Sequence, residues 1–199
     1  MPKQRITKEM VVKTAFELAR EGGAEKITVR NIAERVGCSV QPIYSYCNNM
    51  EELRYEVGEL AREFIGEYIG ARIDKNDPFS STGHAYIELA KEEANVFKLF
   101  ILHRRKNISS FCDLYRSEAD AKIAEHISRE LNINFNAAKE LHLNMLIYTI
   151  GIGTIFAVTD PGISPEEIFD KQESAYKAFI KYASESKENR RERYDTAEI

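Results

Sequence analysis

The sequence predicts an all-α fold, and three observations carry that expectation. Helix breakers are scarce, with only 10 Gly and 5 Pro in 199 residues. Apolar residues recur three and four apart along most of the chain, the period of an amphipathic helix, while no useful length alternates with the period of a strand. Ser, Thr or Asn stands just ahead of several of these runs, where its side chain can cap a helix N-terminus. The organisation expected is an N-terminal three-helix helix-turn-helix unit over residues 1–50. A C-terminal helical bundle over 51–187 follows, and a charged, frayed tail over 188–199.

The first helix is expected from Thr7 to Arg20 or Glu21. Val12, Ala15, Phe16 and Ala19 fall on one face, and Gly22-Gly23 supplies the stop. The second starts at the cap Thr28, where Ile27 and Ile32 form a hydrophobic staple, and Gly37 ends it. Ser39 is placed to cap a third helix running through Cys47, with Pro42 in its first turn. Asn49 caps a fourth, with Glu52 as its capping-box partner, and that helix continues to about Ala71.

Residues 74–83, rich in Asp, Asn, Pro and Ser, read as a loop. Helices are then expected over 82–91, 95–106, 109–131, 136–159 and 165–185. The last has a strong start, because Ser164 caps, Pro165 takes the first turn and Glu167 completes a capping box. The helix over 136–159 is apolar nearly all round in its second half, so every side of it needs cover. Its longest apolar run, Met145 to Val158, falls short of the ~18 residues that suggest a membrane span. A partner subunit supplies the cover economically. Ile152, Ile155 and Phe156 from this helix, with Ile168, Phe169, Tyr176, Phe179 and Ile180 from the last, are the candidate homodimer face, a four-helix bundle across a two-fold axis.

Net charge is −4, which excludes a molecule that holds nucleic acid by charge alone. Its distribution is uneven. Residues 1–50 hold eight Lys and Arg against five Asp and Glu, a net +3 that leaves −7 on the remainder. A small positive unit joined to an acidic body suggests two tasks. The three Cys (Cys38, Cys47, Cys112) cannot all pair within one chain, and no CxxC is present, so reduced thiols in a cytoplasmic protein are expected. Glu9, Lys13, Glu17 and Arg20 interrupt any signal-peptide core.

Helix, tight Gly-containing turn, helix is the spacing of a helix-turn-helix, a unit that lays its second helix in the DNA major groove. The candidate reading helix begins at Ser39. Gln41 suits bidentate pairing with an adenine edge, and Val40 and Pro42 suit packing on thymine methyls. Tyr44 and Tyr46 reach phosphates through their hydroxyls, which fixes register. Thr28 marks a helix N-terminus that favours a phosphate, and Lys3 and Arg5 form a basic arm.

The run from Thr28 to Ser39, followed by Ile43-Tyr44-Ser45-Tyr46 and Glu51-Glu52-Leu53, resembles the DNA-binding domain of TetR-family transcriptional regulators. The resemblance covers about the first 55 residues closely and extends to the chain length usual in that family. Two positions depart from the pattern, Cys47 where Phe is usual and Met50 where Lys is usual. The resemblance implies a homodimeric, ligand-responsive repressor on a double-stranded, pseudo-palindromic operator. It also implies a small effector between the central helices of the body. Candidate lining residues there are Tyr86, Phe97, Phe100, His103, Phe111, Tyr115, Met145 and Tyr148, although aromatics at helical spacing also simply pack.

Enzyme chemistry finds no support in the motifs. His84, His103, His126 and His142 show no metal-ligand spacing, and GxSxG, P-loop and GxGxxG patterns are absent. Neither catalytic residues, metal nor cofactor are expected. The competing reading is a ligand-independent DNA-binding protein that organises chromosomes, which a solidly packed body would favour.

Overall fold

The computed structural model describes residues 6–46, 49–159 and 162–195, with side chains as far as 184. Among the described residues the chain forms ten α-helices and no strand, as expected from its composition. They are α1 (Lys8–Gly22), α2 (Val29–Val36), α3 (Val40–Tyr46), α4 (Met50–Gly70) and α5 (Pro78–Glu92). Then come α6 (Ala94–Leu102), α7 (Phe111–Glu118), α8 (Ala121–Glu130), α9 (Phe135–Val158) and α10 (Pro165–Asp195).

Two compact units emerge. The first comprises residues up to 71 together with 88–105 and 153–159, and the second comprises 72–87, 106–152 and 160–199. In the first, α1 packs on α2, α3, α4 and α6. Val11, Ala15, Ile32, Ile43, Val57 and Phe97 are fully enclosed there. Arg20 of α1 holds the Glu93 carboxylate through Nε (2.9 Å) and Nη2, with its guanidinium over the Phe64 ring. In the second unit, Tyr115, Ala124, Ile127, Ala138, Leu141 and Met145 form the core, drawn from α7, α8 and α9.

Local chemistry explains most helix ends. Thr7, Thr28 and Asn49 accept from the N–H three residues on, and Ser164 and Glu167 close a reciprocal capping box at 3.2 and 3.3 Å. At the end of α2, Gly37 adopts φ 76°, ψ 37°, so the Cys38 N–H reaches the Ala33 carbonyl (2.9 Å) and the Gly37 N–H that of Glu34 (3.2 Å). That pairing is a Schellman stop, and the left-handed conformation favours glycine.

Four expectations from the sequence are corrected. Residues 78–83 are helical, because Asp77 Oδ1 accepts from the Ser80 N–H (3.1 Å) and Pro78 occupies the first turn. The segment 109–131 is two helices: Ala119 is extended, and Asp120 caps α8 by accepting from the Lys122 N–H at 2.9 Å. Helix α6 stops at Leu102, since His103 turns to extended backbone. Helix α10 runs on to Asp195, as nothing between 166 and 195 is Gly or Pro.

Helix α9 as a whole is long and apolar enough to cross a membrane, which its shorter run of continuous apolar residues did not suggest. Its buried polar groups are paired: His142 with Tyr115, and Thr149 with Gln172. Its exposed large apolar residues are Phe135, Ile147, Ile155 and Val158.

Candidate functional site

Helices α2 and α3, with the Gly37 turn between them, present one face outward. Ile43 anchors α3 and is wholly buried, so the neighbouring positions turn away from the core. Ser39 and Gln41 are exposed, Val40 is 45% exposed and Tyr44 61%, while Pro42 and Tyr46 are half-buried. Val40 and Tyr44 stand one helical turn apart on the exposed side of α3. They suit a surface that meets a partner.

Thr28 is exposed at the start of α2, with its Oγ1 accepting from the Asn31 N–H (3.2 Å), so it caps its own helix. Lys26 and Arg30 flank it, both exposed and without an ion pair among the described residues. By contrast Lys8, Arg20 and Arg35 are engaged by Glu52 and Glu56, by Glu93 and by Glu21. Sequence reading passed over Lys26 and Arg30, although the spacing Lys26-x-Thr28-x-Arg30 around a helix cap was a usable signal. Lys3, Arg5 and Cys47 lie outside the described residues.

In the second unit α5, α8, α9 and α10 surround a cavity of about 480 Å³. Tyr86 and Met145 line it, and Tyr115 stands one hydrogen bond behind it, its hydroxyl 2.9 Å from His142 Nδ1. Phe97, Phe100 and His103 belong to the first unit instead. There Phe97 is enclosed, and His103 Nε2 lies 2.7 Å from Glu59 Oε1, its ring against that of Tyr55. Phe111 is 69% exposed, and the Tyr148 hydroxyl donates to the Lys171 carbonyl (3.3 Å). The cavity's polar residues His84, His126, His142, Thr149 and Gln172 were not anticipated.

Burial sets the cavity's proton chemistry. Desolvation lowers His142 to about 4 and raises Tyr115 to about 12, so both are uncharged near neutrality. The two uncharged groups share this hydrogen bond in a direction set by the imidazole tautomer; in the form in which the more acidic phenol donates, the ring's own proton is on Nε2. Among the described residues no group of His, Cys, Asp and Glu is arranged to hold a metal ion.

Of the candidate dimer residues, Ile155 is the most exposed and Ile168 is buried. The remaining six are half-buried. Phe169 lies against His84 and Tyr176 against Phe79, while Phe179 and Ile180 pack on the core of the second unit. Ile147, Val158 and Tyr182 are exposed apolar positions that the sequence reading did not single out.

A braced helix-turn-helix with an outward-facing second helix defines a DNA-binding domain. Residues 11–57, from within α1 into α4, match the family model of bacterial regulatory proteins of the tetR family. A search of the curated proteins finds no match. Among solved structures, the chain is similar to a tetR-family transcriptional regulator from Streptomyces coelicolor. The TM-score is 0.65 at 12% identity, over 92% of this chain and 83% of that one. It is also similar to a transcriptional regulator from Rhodococcus sp. Rha1, with a TM-score of 0.58 at 18% identity, over 91% and 97% of the two chains. At these identities the likeness establishes the fold.

Proposed function

We propose that the protein is a cytoplasmic, non-enzymatic repressor that occupies a pseudo-palindromic operator as a homodimer and releases it when a small molecule binds. The observation that carries this reading is the exposed face of α3, Val40, Gln41 and Tyr44 around the buried anchor Ile43. Two such heads about 34–36 Å apart enter successive major grooves on one side of the duplex. Gln41 reads a base edge, Val40 and Pro42 contact thymine methyls, and Tyr44, Tyr46, Ser39 and Thr28 fix register on phosphates, with Lys3 and Arg5 as an arm. Lys26 and Arg30 add charge beside Thr28.

Residues 1–50 are then the reading head, 51–187 the sensing and dimerising body, and 188–199 the tail. The exposed Ile155, with Ile152 and Phe156 beside it on α9, supports dimerisation through α9 and α10. The cavity supports a ligand-responsive regulator over a ligand-independent organiser of chromosomes, which has no use for an opening of about 480 Å³ in its body. An effector that prefers a different separation of the heads weakens operator binding, with a coupling of ~1–3 kcal/mol.

Selection of bound duplexes from a random library at near-physiological salt tests the reading. An enriched inverted repeat is expected. Folded, dimeric protein that enriches no sequence, with or without candidate effectors, would overturn it.

A further inference from the structure

The cavity of the second unit carries a polar pattern specific enough to define its ligand. Gln172 is 5% exposed, and its Nε2 donates to Thr149 Oγ1 at 2.9 Å. Its Oε1 is buried and accepts from nothing. Gly83 makes room for this amide, since a Cβ there would stand 2.8 Å from Nε2. A buried carbonyl oxygen without a donor is costly, and a donor that arrives with a ligand removes that cost.

The second polar point is His142, which is 6% exposed and lines the same cavity. Its Nδ1 is taken by the Tyr115 hydroxyl, and among the described residues Nε2, which carries the ring proton when the phenol donates, has no partner. His142 and Thr149 are seven residues apart on α9, two helical turns on nearly the same face, which sets their backbone positions about 10 Å apart along the axis. Met145 and Leu146 line the wall between them.

Charge narrows the choice further. The lining contains no Lys or Arg, whereas Asp77, Glu130 and Glu173 are exposed carboxylates at its edge. An anion entering would lose its hydration and meet no Lys or Arg in the lining.

Resting on the reading of this cavity as the effector site, we propose that it binds an uncharged, elongated molecule with an apolar middle. One end carries an O–H or N–H donor for Gln172 Oε1. The other, about 10 Å away, carries an oxygen that accepts from His142 Nε2. Phenols, amides and lactams built on an aromatic or alicyclic frame have this chemistry, and carboxylates and phosphates are excluded.

The test is calorimetric titration of the full chain with three biphenyls substituted at both far para positions. These are the dihydroxy compound, whose oxygens stand at comparable spacing, the dimethoxy compound, which has acceptors only, and the dicarboxylate. The dihydroxy compound is expected to bind at least about tenfold tighter than the dimethoxy one, the scale of one satisfied buried acceptor, and the dicarboxylate more weakly than either. Gln172→Met is expected to erase the difference between the first two, and His142→Phe to weaken both. Thermal melting confirms that each variant folds.

Equal binding of the dihydroxy and dimethoxy compounds, no binding of the dihydroxy compound, or preference for the dicarboxylate would overturn the proposal. Met145→Trp, which fills the wall between the polar points, separates the two levels. Loss of binding in Met145→Trp with no change in Gln172→Met refutes the ligand chemistry and keeps the cavity as the site. Unchanged binding in Met145→Trp places the ligand elsewhere and refutes both. None of these measurements involves DNA, so the repressor reading stands or falls separately.

Discussion

Two glycines of α4 should respond to the same substitution in opposite directions. Gly66 is exposed with nothing within 4 Å of a built Cβ, so Gly66→Ala adds helix propensity and nothing else. Its expected effect is a stabilisation of about 1 kcal/mol. Gly58 is buried, and its Cβ would come 2.1 Å from Nδ1 and 2.8 Å from Cγ of His103. That ring cannot simply swing away. Its Nε2 lies 2.7 Å from Glu59 Oε1, its ring lies 4.9 Å from that of Tyr55, and its side chain is 4% exposed. Overpacking of this kind costs ~1–3 kcal/mol, which cancels or exceeds the propensity gain and displaces the His103–Glu59 contact as well. Gly58→Ala should therefore be destabilising by up to about 2 kcal/mol, some 1–3 kcal/mol apart from Gly66→Ala. Urea unfolding followed by circular dichroism reads both midpoints, with the slope checked for constancy. A Gly58→Ala protein as stable as Gly66→Ala would refute the packing of His103 on α4.

His142 makes stability depend on pH. Its folded-state value is lowered from 6.5 to about 4, so the unfolded chain binds the extra proton between those limits. The contribution is fully present above about 6.5 and is lost as pH falls toward 4, a change of about 3 kcal/mol at one proton per molecule. Urea midpoints across this range should climb with pH and flatten in His142→Gln; an equal climb in both proteins would assign it to other groups. Met50→Lys should strengthen binding to many duplexes and steepen the log–log salt dependence by up to about 0.9 per phosphate neutralised. Unchanged affinity and slope would mean that the start of α4 stays clear of the DNA backbone.

What was legible in the sequence was mostly local. Thr7, Thr28, Gly37, Asn49 and Ser164 mark helix ends through hydrogen bonds within one turn, and the structure has each of them. The start of α5 was equally local, yet the polar composition of 74–83 hid the Asp77-Pro78 signal. The break at Ala119 and Asp120 offered no Gly or Pro, so two short helices read as one.

The exposed face of α3 followed from a single inward residue, Ile43, because a short helix on a core has only one side to hide. The cavity was not legible in that way. Aromatic residues at helical spacing look alike whether they fill a core, as Phe97 does, or line an opening, as Tyr86 does. Gln172 acquires its meaning only when α10 sets it against Thr149 and Gly83, contacts that no sequence period encodes.

The most direct test of the account is a pair of duplex selections, one with the natural protein and one with Gln41→Ala, under identical salt. The natural protein should enrich an inverted repeat whose half-sites are centred about one helical turn apart. Gln41→Ala should enrich the same repeat with one position in each half-site relaxed, a discrimination loss of ~1–3 kcal/mol there and nowhere else. Identical preferences from the two proteins would remove Gln41 from base reading, and a folded natural protein that enriches no repeat would contradict the assignment of α3 as the reading helix.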